Sequence, residues 1–229
     1  MGDTGLTAPS SGTAPPAEAV SSGTGADVGV RQARAEDIRG VAHLHAKAFE
    51  GFILTQLGQA FLRRYYAAVL EYPLRLFLVA ERHGRLLGFA AGFAEPQAFS
   101  RSLKRRAIRL LPSIVAGVLT HPRILGIVSQ NALGVFRGRH AGYEPTAGDA
   151  ELASLAVAPG VQGRGLGRLL VRRFADDARR SGSTGVHLST DADDNERVNR
   201  FYTSLGFSLE TTYTATGGRR RNHYRLPLK

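Results

Sequence analysis

The chain has 229 residues, 30 Lys and Arg against 19 Asp and Glu for a formal charge of +11, 43% hydrophobic residues and no cysteine. That length suits one domain with a substantial core. The missing cysteines remove a disulfide scaffold, a thiolate zinc site and a Cys nucleophile, so the chemistry rests on oxygen, nitrogen and backbone groups, and no metal is expected.

Residues 1–28 are mostly Gly, Ser, Thr, Ala and Pro, with no aromatic residue and no Lys or Arg. Such a segment cannot bury enough apolar area to offset its ordering entropy. It lacks the basic start and apolar block of a secretory signal and the Arg of a transit peptide, which predicts a disordered tail on a cytoplasmic protein whose folded part begins near Gly29. The most apolar run, residues 110–119, is far short of the roughly 20 residues needed to span a bilayer.

Residues 30–33 read as a short strand. In residues 37–49, Ile38, Val41, Ala42, His45 and Phe49 fall on one helical face, and Phe61, Leu62, Tyr65, Ala68 and Val69 repeat similarly in residues 59–70. The period then changes. Residues 76–81 and 86–93 form a predicted hairpin turning at Gly84. Residues 99–133 read as helical pieces broken at Pro112 and Pro122, an insertion spanning 96–140. Residues 152–157 are a buried-type strand, 165–180 a helix, 186–190 a strand and 195–205 a helix, and strands 208–214 and 222–227 close the chain across Gly217 and Gly218. The order β-α-α-β-β-(insert)-β-α-β-α-β-β predicts an α/β domain with a mixed sheet flanked by helices.

Positive charge is clustered. Between Gln97 and Tyr143 stand Arg101, Lys104, Arg105, Arg106, Arg109, Arg123, Arg137 and Arg139 with no acidic residue, and Arg164, Arg168, Arg172, Arg173, Arg179 and Arg180 follow later. One-signed clusters point to an anionic partner. Ser100, Leu103, Ala107, Ile108, Leu110 and Leu111 among five basic residues describe a basic amphipathic helix, which can lie on an anionic membrane, cover an anionic ligand or pack its apolar face on the domain. The basic runs lack the interleaved aromatics of single-strand binders, so no nucleic-acid partner is expected.

The strand 152–157 feeds Gln162, Gly163, Arg164, Gly165, Leu166, Gly167 and Arg168, three glycines at alternate positions opening a helix. Unpaired N–H groups and the positive end of the helix dipole make such a turn a phosphate site. A Walker loop would need Lys and Ser or Thr after Gly167, where Arg168 and Leu169 stand, and a dinucleotide fingerprint counted from Gly163 puts Arg168 at its third glycine. Neither spacing fits.

The stretch from Gln162 to Gly167 resembles the Gln/Arg-x-x-Gly-x-Gly/Ala pyrophosphate loop of the GNAT acyl-CoA N-acyltransferases. Asn195, Val198, Tyr202, Gly206 and Phe207 are similar to a second signature of that family, Asn-x-x-Ala-x-x-x-Tyr-x-x-x-Gly-Phe, with Val198 where Ala is usual. The resemblance covers about residues 151–207. It implies a GNAT fold with a mostly antiparallel sheet, acetyl-CoA as acyl donor and a primary amine as acceptor. By resemblance, Gln162, Gly163, Arg164, Gly165, Leu166, Gly167 and Arg168 hold the pyrophosphate, Leu155 and Val157 offer main-chain hydrogen bonds to pantetheine, and Asn195 contacts the cofactor. A main-chain N–H near residues 155–157 polarises the thioester, and Tyr202 protonates the leaving thiolate. Leu205, Gly206 and Phe207 read as helix end, cap and core anchor. Glu151, which opens the cofactor strand, is the first candidate base, with Glu50, His43 and His45 behind it. The acceptor remains open among a nucleotide-linked amino sugar, a small polyamine, an antibiotic and a protein N-terminus. A GNAT-fold sensor without turnover is the competing class, and the chain is expected to act as a monomer or homodimer.

Overall fold

The computed structural model describes residues 28–105, 146–215 and 218–228. The N-terminal tail and the insertion beyond Arg105 lie outside the described residues. Seven strands, β1 (Gly29–Gln32), β2 (Arg75–Arg82), β3 (Arg85–Phe93), β4 (Asp149–Val157), β5 (Gly185–Asp191), β6 (Ser208–Thr214) and β7 (Arg220–Pro227), form one sheet in the order β1-β2-β3-β4-β5-β7-β6. Every neighbouring pair is antiparallel except β4 and β5. That one parallel pair needs a crossover, which helix α5 (Leu166–Arg180) supplies.

The central strands bury both faces and therefore read as continuous apolar runs. Phe77 and Val79 of β2 pack with α1 (Ile38–Ala48) and α3 (Gly58–Leu70), while Leu76, Leu78 and Ala80 of the same strand pack under α5 and α6 (Glu196–Thr203). The sheet thus separates two cores. Helix α4 (Pro96–Arg105) lays Phe99 and Leu103 into the first, with Phe99 stacked 3.7 Å from Phe93. This is the start of the basic segment, and its described apolar face packs on the domain.

Some boundaries differ from the sequence reading. A single-turn helix, α2 (Ile53–Gln56), precedes α3, too short to show a period. A 3₁₀ turn, Ala35–Asp37, leads into α1, and Asp37 there accepts hydrogen bonds from the Arg34 N–H and from Arg31. β4 begins three residues earlier than expected because Asp149 and Glu151 interrupt its apolar pattern. Among the described residues no helix is long and apolar enough to cross a membrane.

Candidate active site

β4 positions the site. Its ladder to β3 continues to Val157, opposite Gly88, whereas its ladder to β5 ends at Glu151 opposite His187, although β5 runs on to Asp191. The two strands part there and leave a slot. Ala158 N–H bonds the Leu87 carbonyl at 2.8 Å. By antiparallel alternation Ala156 then turns its polar groups to β3, and Leu155 and Val157 turn theirs to the edge that β5 has left. Gln162 Nε2 donates to the Val157 carbonyl at 3.3 Å, which ties the glycine-rich turn to that edge.

A register shift near the slot sharpens the divergence. Ala91 pairs with Ser154 and Gly92 with Leu152, so Ala153 is an extra residue, a bulge on β4. Gly92 is required there: a Cβ on it would lie 1.8 Å from the Glu151 carbonyl oxygen and 2.7 Å from Phe174 Cζ. The family resemblance implies a bulge that splays this strand without placing it at Ala153, and Gly92 was not visible as a site feature in the sequence.

At the far end of the open edge, the turn enters α5 through two left-handed glycines, Gly163 (φ +78°) and Gly165 (φ +80°), the latter capping the helix. A Cβ at either would meet open space, so their backbone conformation is what calls for glycine. Gly167 differs: its Cβ would sit 3.3 Å from Phe201, so it lets α5 pack against α6. Leu166 is buried and Arg164 exposed. Arg168 donates to the Ser204 carbonyl at 3.2 Å and to Ser204 Oγ at 3.1 Å, binding the end of α6.

Asn195 is the N-cap residue of α6, and its amide nitrogen donates to Thr190 Oγ1 at 2.8 Å and the Asp191 carbonyl at 3.0 Å. These bonds join α6 to the diverging end of β5. One helix length on, Tyr202 is 8% exposed, its ring packed with Phe201, Phe207 and Tyr224, and burial raises its pKa above the ordinary phenol value. Gly206 (φ +91°) ends the helix, and Phe207 N–H reaches back to the Tyr202 carbonyl.

The opposite face of the sheet carries Glu151, level with Phe93 and His187. Burial pushes its carboxyl up to about 7, with the Arg221 charge pulling the other way. A carboxyl in that range can take a proton near neutrality. His43 and Glu50 are exposed. His45 is 3% exposed, its Nδ1 lies 2.6 Å from the Tyr66 hydroxyl, and burial pushes its pKa down to about 4, which makes it a weak base. Thus Glu151 and the β4 edge come together at the slot, Gln162 to Gly167 lie at its mouth, and His43 and Glu50 stand on the outside.

Residues 39–207 match the profile of the acetyltransferase (GNAT) family. Over 81 residues the chain is 41% identical to the mycothiol acetyltransferase of Nocardia farcinica, a stretch making up 34% of this chain and 26% of that protein. The chain therefore spans about a quarter of that relative's length. Among solved structures, an N-acetyltransferase from Staphylococcus aureus Mu50 superposes with a TM-score of 0.57 at 14% identity, covering 89% of this chain and 99% of that one. The Salmonella typhimurium protein yncA, solved with its cofactor acetyl-CoA, gives 0.53 at 18% identity over 89% and 95% of the two chains. At such identities the likeness is one of fold.

Proposed function

The chain belongs to the GNAT acetyltransferase family, and from that premise we propose that it is an acyl-CoA-dependent N-acetyltransferase, which residues carry the transfer, and to what. The observation that carries the reading is the open edge of β4 running from Glu151 to a glycine-capped helix N-terminus. Backbone N–H groups from Gln162 to Gly167 hold the pyrophosphate of acetyl-CoA, helped by Arg164. Arg168, engaged with Ser204, holds the helices that frame this site. Leu155 and the Val157 N–H align pantetheine along the open edge of β4, Asn195 fixes the end of β5 beside it, and a main-chain N–H in residues 155–157 stabilises the developing oxyanion.

The acceptor enters over the face that bears Glu151. Glu151 removes a proton from the amine as its nitrogen bonds to the acetyl carbon; the C–S bond breaks, and Tyr202 gives its proton to the departing thiolate. The domain that does this runs from residue 29 to 229. The acceptor carries phosphate, as an amino-sugar nucleotide does, and the basic segment meets it; support comes from α4, where Phe99 and Leu103 are buried and Arg101 is exposed. Free-thiol release from acetyl-CoA across a panel of amines, with and without phosphate, tests both parts. No release with any amine removes the assigned roles, and equal rates with neutral amines remove the phosphate.

A further inference from the structure

Two polar atoms that the transfer itself does not use are shut off from solvent without a hydrogen-bond partner among the described residues: Asp191 Oδ1 and Arg221 Nε. These residues are directly opposed across β5 and β7, so their side chains leave the same face of the sheet about 5 Å apart. Their other ends are committed. Asp191 Oδ2 accepts from Arg219 Nη2 at 2.5 Å, and Arg221 Nη2 donates to the Ser189 carbonyl at 2.8 Å. What remains is one acceptor and one donor side by side, an arrangement that is costly unless something completes it.

Their position says which molecule would do so. Arg219 sits 4.4 Å over the Phe52 ring, on the segment between α1 and α2, so the pair lies under a roof built from the far side of the sheet from α5 and its phosphate turn. Arg221 is also close enough to Glu151 for its charge to act on that carboxyl. Both residues therefore stand on the face of the sheet that bears Glu151, farther along β5 toward its diverging end.

Resting on the reading above, we propose that Asp191 and Arg221 read the atoms next to the reacting amine: the acceptor carries an oxygen on the carbon adjacent to its amine-bearing carbon. That oxygen accepts from Arg221 Nε–H while the amine donates to Asp191 Oδ1. The N–C–C–O unit occurs in vicinal amino alcohols, amino sugars among them, and in aminoacyl groups. Alkylamines and polyamines lack it and leave Arg221 Nε unpaired.

The test uses the full chain with acetyl-CoA and matched amines. Glucosamine against cyclohexylamine reads a hydroxyl oxygen, and alaninamide against sec-butylamine reads a carbonyl. At least one oxygenated partner should exceed its counterpart about 10-fold or more in kcat/KM, the scale of one closed-off hydrogen bond to a charged donor. Arg221→Lys keeps the charge but removes the Nε–H, and should collapse that preference to within about twofold with the acetyl-CoA KM unchanged. Asp191→Asn, which touches only the amine that both members share, should slow both members of a pair alike and leave the preference in place, and Arg221→Met, which also removes the Nε–H, serves if the lysine variant fails to fold. Equal rates for both members of each pair in the wild type overturn the proposal, as does a rise in acetyl-CoA KM that parallels the lost preference, since the pair would then serve the cofactor's own amides. If no amine releases thiol, the catalytic roles fall separately, and melting of the CoA-loaded protein decides the site. Stabilisation by glucosamine or alaninamide that Arg221→Lys abolishes upholds it, and shifts no larger than those of the alkylamines overturn it.

Discussion

Glu151 is a carboxyl that burial holds in its neutral form up to about pH 7, against an ordinary 4.5, with Arg221 opposing. As the proposed base it must be ionised, so wild-type kcat should rise with pH through about 7 and then level. Glu151→Gln should lower kcat by about 10²–10⁴-fold and flatten that profile. The same shift affects stability: the folded protein binds this proton more tightly than the unfolded chain, so the contribution is full below 4.5 and lost as pH rises to about 7. His45 works the other way. Its pKa falls from 6.5 to about 4, so its contribution is full above 6.5 and lost as pH falls. The two trends oppose one another in the wild type, and thermal melts of Glu151→Gln at pH 5 and pH 8 separate them, with the variant gaining on the wild type only at the higher pH. Tyr202 stays protonated throughout this range because burial raises its pKa. Tyr202→Phe keeps the ring against Phe201, Phe207 and Tyr224 and should cut kcat by a similar 10²–10⁴-fold while the Kd for acetyl-CoA, by calorimetry, stays put.

The elements around the slot depend on glycines for different reasons, and variants tell these apart. Gly165 caps α5 at φ +80° with space around it, so Gly165→Val strains the backbone by about 1–2 kcal/mol and misdirects the N–H groups. The Kd for CoA should weaken about 10-fold or more by calorimetry, with a modest fall in Tm. Gly92→Ala meets backbone, the Glu151 carbonyl oxygen, and should cost upwards of about 3 kcal/mol, read in urea melts. The sequence displayed the first glycine and hid the second. Gly163, Gly165 and Gly167 follow one another at a strand-to-helix junction, a local pattern, and the Asn195 to Phe207 helix with its cap is local too. Gly92 sits inside an apolar run, and its need comes from Glu151 on a strand 59 positions away that only tertiary pairing brings alongside. The Ala153 bulge, the end of the β4–β5 ladder and the Asp191–Arg221 pair are likewise facts of pairing, without a periodic signal. The early start of β4 was masked by Asp149, whose buried carboxylate is held by Arg225 and Thr184, and by Glu151, two polar residues in a strand that the sequence reading marked by its apolar run.

Across the whole molecule the sheet consists of two parts, β1 to β4 and β5 to β6, joined by three residue pairs from Asp149–Gly185 to Glu151–His187. A slot needs its closed end held firmly, because any slackening there widens the open end. Asp149 supplies that hold. Its buried carboxylate accepts from Arg225 of β7 at 2.5 and 3.1 Å and from Thr184 Oγ1 at 2.8 Å, and Gly185 makes room for it, since a Cβ there would stand 2.6 Å from Asp149 Oδ1. Asp149→Ala removes the nearest carboxylate from a partly shielded guanidinium, which keeps Glu210 at 4.0 Å, and should cost roughly 2–4 kcal/mol, discounted for the solvent that Arg225 still sees. The clamp lies at the opposite end of β4 from the phosphate turn, so a purely local role would leave cofactor binding alone. If it sets the slot width, Asp149→Ala should also weaken CoA binding several-fold in calorimetry carried out well below the variant's Tm, and Asp149→Asn, which keeps the shape and the Thr184 bond, should recover part of both losses. Lower stability with unchanged CoA affinity would confine Asp149 to holding the two parts of the sheet together.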